Sequence, residues 1–226
     1  GGKPLGYIVD LPSNPGGLLN EAVRVSDAFL ERGEIVSERG RDKRDIESWY
    51  AKPGDMAHGL PVIVLVDVGS ASAAEIVAGA LQDHRRAIVM GERSFGKGSV
   101  QGVSEMSPTS ALRLTIARYY TPSGRSVQAG GITPDIIVPQ LSDADRDAAN
   151  DVRESDLRQH LIAEGVQEDA LLQDEGADPR FSATVAELEK KGVKDFQLDY
   201  SVKTLTRIET AGIGRTADKR TLWPTV

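Results

Sequence analysis

The sequence predicts an α/β fold with a mostly helical C-terminal appendage, and three observations carry that prediction. Between positions 5 and 91, short apolar runs of the kind that form buried strands are interleaved with stretches of helical spacing. From Gly98 to Val138 the pattern changes to alternating strands separated by Gly- and Pro-bearing turns. Beyond Pro139 the chain turns acidic and mostly helical in pattern. Its 226 residues suffice for one large domain or two small ones, and the expected division is a core over 1–140 with an acidic, largely helical appendage over 141–226.

Each element follows from local pattern. Leu5 to Leu11 reads as a buried strand, ended by the turn-forming run from Pro12 to Gly17. Leu18, Ala22, Val25 and Phe29 recur at helical spacing within a helix predicted from Leu18 to Leu30, which Gly33 closes. Glu34 to Ser37 is a short strand, and a polar stretch from Arg39 to Gly59 leads to the β-branched run from Pro61 to Asp67, expected to be buried on both faces. After the small residues Gly69 to Ala73, helical spacing resumes from Ala74 to Gln82, and Ala87 to Met90 is another buried strand. Ser99 to Met106 and Leu112 to Tyr119 alternate as antiparallel strands do, with turns at Thr121 to Gly124 and Gly130 to Asp135 before a short strand at Ile136 to Val138. The appendage predicts helices over Val152 to Ala163 and Ala183 to Lys191; Gly212 to Val226 lacks periodicity and is expected to be disordered or a docking tail.

Composition excludes several classes of function. A net charge of −7, with the basic residues scattered, argues against nucleic acid as a partner. No apolar run approaches the roughly 18 residues that a membrane helix needs. The absence of cysteine excludes disulfides, thiol catalysis and Cys-based metal sites, and fits an oxidising compartment. No metal and no cofactor is expected. Gly1-Gly2-Lys3-Pro4 lacks the pattern of a signal peptide, and a strand begins almost at once, as in a chain whose upstream portion has been removed.

The segment Asp67-Val-Gly-Ser70-Ala-Ser72-Ala-Ala-Glu75 places a hydroxyl between a buried strand and a helix start, where unpaired N–H groups and the positive end of the helix dipole favour an oxyanion. Ser70 or Ser72 taken alone reads first as a helix N-cap. A serine nucleophile needs a base. His58 lies in the polar stretch, His84 beside Asp83 and Arg85 at a helix end, and His160 in the appendage, so no Ser-His-Asp set is convincing. Lysine serves instead when burial leaves it neutral. Lys97 sits between Gly96 and Gly98 just after a strand, so its backbone is free to bend and pack closely. The same residues, Gly91 to Lys97, approach a P-loop, but Gly98 stands where Ser or Thr should bind magnesium, and a β pattern follows instead of a helix.

Taken together, these segments resemble the carboxyl-terminal processing (tail-specific) proteases. The resemblance runs from about Gly6 to Val138 through Val9-Asp10-Leu11, Asn14-Pro15-Gly16-Gly17, Gly69 to Glu75, Gly79 to Asp83, Gly91-Glu92, Phe95 to Gln101 and Ala117 to Gly124. It implies a core with the Clp protease and crotonase fold of stacked β-β-α units. By similarity Ser72 is the nucleophile, Lys97 the general base and Gln101 the residue that orients the lysine amine, which leaves Ser70 as a cap or turn residue. The spacing from Lys97 to Gln101 suits an extended or bulged segment. An oxyanion hole would use N–H groups of Ala73 and of either Gly16 or Gly17. The implied substrate is a protein or peptide with an accessible C-terminus, bound as an extended strand, and the implied location is the periplasm or cell envelope. An activating adaptor and a homo-oligomer are the further partners it admits. Family members usually carry an inserted PDZ domain and an N-terminal helical region upstream, and neither is expected in this core. Where Arg and Asn often precede the Asn-Pro-Gly-Gly turn, this chain has Pro12 and Ser13. The alternatives are a P-loop-like nucleotide hydrolase and a non-catalytic peptide-binding core.

Overall fold

The computed structural model describes residues 2–42, 44–141, 152–157, 161 and 181–211. In chain order its elements are β1 (Tyr7–Asp10), α1 (Leu19–Asp27), β2 (Gly33–Gly40), β3 (Ile46–Ala51), β4 (Val62–Val66), α2 (Ala73–Asp83), β5 (Ile88–Gly91), β6 (Ser99–Ser107), β7 (Ser110–Tyr120), β8 (Ile136–Ile137), α3 (Val185–Lys190) and α4 (Phe196–Thr210). The strands form two four-stranded sheets.

The first sheet is parallel, in the order β1-β4-β5-β8. Its centre is β4, whose five residues are all buried, as a run apolar at every position requires. Side chains of period two divide that burial between the faces. Val62, Val64 and Val66 join Ile76, Val77 and Leu81 of α2 in one core, and Ile63 and Leu65 join Met90, Val138 and Leu205 in a second core on the opposite face. Each fully buried side chain of this size contributes about 2 kcal/mol.

The second core is closed by α4, an element the sequence pattern did not expose. Its most buried residues are Gln197, Ser201, Leu205 and Ile208, so the buried stripe begins with two polar side chains. Both are bonded: the Gln197 amide donates inward to the Val138 carbonyl at 2.8 Å, and the Ser201 hydroxyl back along its own helix to the Gln197 carbonyl at 2.8 Å. In the predicted segment Val152 to Ala163, the described residues contain a single 3-10 turn, Glu154–Asp156; the rest, like the tail from Gly212, lies outside the described residues.

The second sheet is antiparallel, β3-β2-β7-β6. Strand β3 falls inside the stretch read as polar: of its residues Trp49, paired with Val36, and Ala51 pack against the core, while Ile46, Glu47 and Tyr50 face outward. The loop leading to β4 is stapled to the end of α2 by a fork of two hydrogen bonds from Arg86 to Asp55, with both side chains only 9% exposed. Only the last residues of β7 pack on the body. The rest of the β6–β7 ribbon is open, and Val103, Met106, Leu114 and Ile116 are exposed.

Candidate active site

The loops leaving the carboxyl ends of β1, β4 and β5 converge, the place where open parallel sheets bind ligands. The β4 loop carries Ser72 at the start of α2. Ser72 is half-buried, with φ 55° and ψ −116°, a conformation non-glycine residues rarely adopt. Gly16 of the β1 loop packs directly on it: a Cβ there would lie 2.6 Å from the Ala71 oxygen and 2.9 Å from the Ser72 Cβ. With φ +94° as well, only glycine suits the position.

Ser70 is fully buried and occupied as a turn residue: its hydroxyl accepts from the Asp67 N–H at 2.9 Å and donates to the Leu11 carbonyl at 2.8 Å. Asp67 extends this clasp. Its carboxylate accepts from the N–H groups of Ser13 at 2.7 Å and Gly69 at 2.9 Å and, more weakly, from the Ser13 hydroxyl at 3.3 Å. The Ala71 N–H donates to the Asn14 carbonyl at 2.9 Å, so the β1 and β4 loops are bonded along their length. Ser13 therefore does local structural work in this chain, at φ 56°.

Of the two glycines expected to line an oxyanion hole, the Gly16 N–H is taken by the Asn14 side chain at 2.9 Å. Among the described residues, no acceptor is bonded to the N–H of Gly17 or of Ala73. Gly17 is exposed, with open space where a side chain would begin.

Glu75 joins the serine to the lysine. It is fully buried, and its Oε2 accepts from the Ser72 N–H at 2.7 Å and from the Lys97 N–H at 2.9 Å, while Oε1 accepts from the Gly96 N–H at 2.7 Å and the Ser94 hydroxyl. One oxygen thus holds the backbones of Ser72 and Lys97 side by side. Burial pushes the Glu75 pKa up to about 7, against the pull of the hydrogen bonds it accepts. Ser72 and Glu75 have the spacing of a capping box, and the Glu75 arm is the hydrogen bond that forms. That Ser-x-x-Glu spacing was the available signal for Glu75. The bonds also remove the P-loop alternative, because the Gly96 and Lys97 N–H groups already serve an internal carboxylate and β6 follows them in place of a helix.

The backbone of Lys97 packs as its glycines suggest: Gly96 and Gly98 are buried, and a Cβ on Gly98 would lie 2.4 Å from the Gln128 nitrogen. Its side chain departs from the burial that a neutral lysine calls for. Lys97 is exposed and, among the described residues, forms no side-chain hydrogen bond to Ser72 or any other group, because the bonds that fix this loop are made by its backbone and leave the side chain outside them. Gln101 lies in β6 just after a register shift between Val100 and Gln101, the bulge its spacing suited, but it too is exposed and not bonded to Lys97. Ser72, Ala73, Gly16, Gly17 and the Lys97 backbone are thus brought together, and the Lys97 and Gln101 side chains are not. His84 Nε2 lies 2.6 Å from the Glu34 carbonyl, His58 is exposed in a turn, and His160 lies outside the described residues.

Among the described residues, Ser72 thus sits half-buried at a helix start, with unbonded N–H groups beside it and its backbone tied through Glu75 to the loop that carries Lys97. The family model described as peptidase family S41 matches residues 3–138, and the chain belongs to that family. It is 56% identical over 160 residues to a carboxy-terminal-processing protease of Bartonella bacilliformis, covering 70% of this chain and 37% of that protein. With a carboxyl-terminal-processing protease of Synechocystis it shares 43% identity over 135 residues, covering 60% of this chain and 31% of that protein. The solved structure of a photosystem II D1 C-terminal processing protease is 35% identical, with a TM-score of 0.58 over 63% of this chain and 37% of that one. The chain spans about a third of the length of these relatives. The fold is the expected α/β core of the Clp protease and crotonase kind.

Proposed function

We propose that this chain carries the catalytic core of a serine endopeptidase that cleaves proteins near their C-terminal region. The single observation that supports this most is the Glu75 oxygen shared by the Ser72 and Lys97 backbones, which fixes nucleophile and base loops as one unit. Lys97, as the free amine, takes the proton of Ser72, whose Oγ attacks the peptide carbonyl. The N–H groups of Ala73 and Gly17 receive the resulting oxyanion; Gly16 shapes the site and does not donate to it. As the tetrahedral adduct collapses, protonated Lys97 returns its proton to the leaving amine. Water, deprotonated by Lys97, then hydrolyses the Ser72 ester. Gln101 orients the Lys97 amine once the ribbon and the lysine have turned inward. The exposed Lys97 is in this view a resting arrangement, closed by substrate, by an activating adaptor or by assembly into a homo-oligomer.

The substrate is an extended polypeptide with an accessible C-terminus, added beside a sheet edge. Residues 1–140 carry the chemistry and 141–226 are an appendage on it. The cell envelope or periplasm is the proposed location; among the described residues, no helix is long and apolar enough to cross a membrane. The exposure of Lys97 also favours a second reading, a peptide-binding core without catalysis. Incubation of an unstructured protein with the wild type and with Ser72→Ala and Lys97→Ala decides between them. Cleavage by the wild type alone is expected; equal cleavage by all three would refute the assignment, and binding with no cleavage by any would establish the second reading.

A further inference from the structure

The lysine loop is held from a second side by a polar contact that reaches it from beyond the family-matched residues. Gln128 is fully buried, and its Oε1 accepts from the Gly98 N–H at 3.0 Å, one residue after Lys97. Its Nε2 donates to Glu154 Oε1 at 3.0 Å, and the Glu154 N–H donates to the Phe95 carbonyl at 3.1 Å. Glu154 lies outside the region 3–138 that matches the family. The neighbouring bonds are equally complete: Ala129 N–H to the Gly96 carbonyl and Tyr119 N–H to the Gly98 carbonyl, each at 2.8 Å. The loop backbone from Phe95 to Gly98 is therefore fixed around Lys97, and the lysine side chain alone is left to move.

The orientation of the Gln128 amide follows from its partners. A backbone N–H on one side demands the oxygen, and a carboxylate on the other demands the NH2 group, so a flipped amide would oppose two donors and two acceptors. Glu154 thereby decides which end of Gln128 faces Gly98. We propose that Gln128 is a positioning residue for Lys97 and that Glu154, through it, couples the C-terminal segment to the general base. This rests on the assignment of Lys97 as the base. A catalytic group displaced by about 1 Å can lose on the order of a hundredfold in rate, so a loosened loop has a measurable cost.

The test replaces each partner so that the hydrogen-bond inventory is broken and then restored. Gln128→Glu keeps an acceptor for Gly98 but sets two carboxylates against each other; Gln128→Glu with Glu154→Gln restores a donor–acceptor pair with its direction reversed, the carboxylate at 128 accepting from both the Gly98 N–H and the amide at 154. Cleavage of a fluorescence-quenched unstructured peptide is followed for kcat and KM, together with the melting temperature of each variant. The expected result is a fall in kcat of about tenfold or more in Gln128→Glu at little changed KM, and recovery to within a few-fold of the wild type in the double variant. Glu154→Ala, which leaves Gln128 in place and perturbs the fold less, is expected to lie between. Wild-type kcat in Gln128→Glu and Glu154→Ala overturns the proposal, as does a loss that tracks melting temperature and is not rescued. If Lys97→Ala is inactive while these variants match the wild type, only the coupling fails; if Lys97→Ala is fully active, the assignment of the base fails instead.

Discussion

The two halves of the candidate site are built differently. Around Ser72, buried polar side chains bind one loop to the next: Asp67 takes the Ser13 and Gly69 N–H groups, and Glu75 those of Ser72, Gly96 and Lys97. Around Gln101, the β6–β7 ribbon projects with both faces exposed and, among the described residues, has no such struts. A two-stranded ribbon is marginal by itself. The contrast separates what is held in place, a strained Ser72 with unbonded N–H groups beside it among the described residues, from what is exposed, the Lys97 and Gln101 side chains. Donors fixed in advance serve both fold and rate, so loss of the anchored half should be felt in stability and activity together.

The largest effect is expected at Glu75. Glu75→Ala leaves buried donors from Ser72, Gly96, Lys97 and Ser94 without an acceptor, at about 1–3 kcal/mol each where water cannot replace it. Loss of cleavage and a stability loss of at least about 3 kcal/mol in urea unfolding are expected; an active variant of native stability would erase the distinction between the halves. Its protonation gives a signed prediction as well. With the native pKa raised from 4.5 to about 7, the folded state holds a proton that the unfolded state releases, so stability falls as pH rises through that window, by up to about 3 kcal/mol. Glu75→Gln lacks this proton, and the stability difference between wild type and variant should shrink from pH 4.5 to 7 and level off above.

Asp55→Ala separates fold from site. It strands Arg86 in a nearly buried position, a loss of about 3 kcal/mol, yet Ser72 should keep its reactivity at temperatures where the variant is folded. Asp67→Asn keeps the size of the clasp but replaces one acceptor oxygen with a donor, and a fall in kcat of about tenfold at unchanged KM is expected. The smallest effect on stability belongs to Gln101→Ala, within about 0.5 kcal/mol because the side chain is exposed and unbonded. Its effect should appear in kcat, and a change in stability instead would mean that the ribbon is anchored after all.

The anchored half was the more legible in sequence. The apolar run of β4, the small residues after it and the Gly16-Gly17 turn each have a local cause, so the serine loop could be placed without coordinates, while the choice of Ser72 over Ser70 came from the family resemblance. Asp67 could not, because its partner Ser13 lies 54 positions away and nothing local joins them. Strand β3 was hidden by outward-facing Ile46, Glu47 and Tyr50, and α4 by a buried face that opens with Gln197 and Ser201. The direction of the Lys97 side chain had no local signature, since its flanking glycines constrain the backbone alone.

The most direct measurement is covalent labelling of the 226-residue chain with a fluorophosphonate, read by mass spectrometry of the intact protein and its peptides, because it needs no natural substrate. A single adduct on Ser72 is predicted, slowed at least about a hundredfold in Lys97→Ala, as loss of a general base implies, and absent in Ser72→Ala. Equal labelling of wild type and Lys97→Ala, or an adduct on another residue, would contradict the assignment of Ser72 and Lys97.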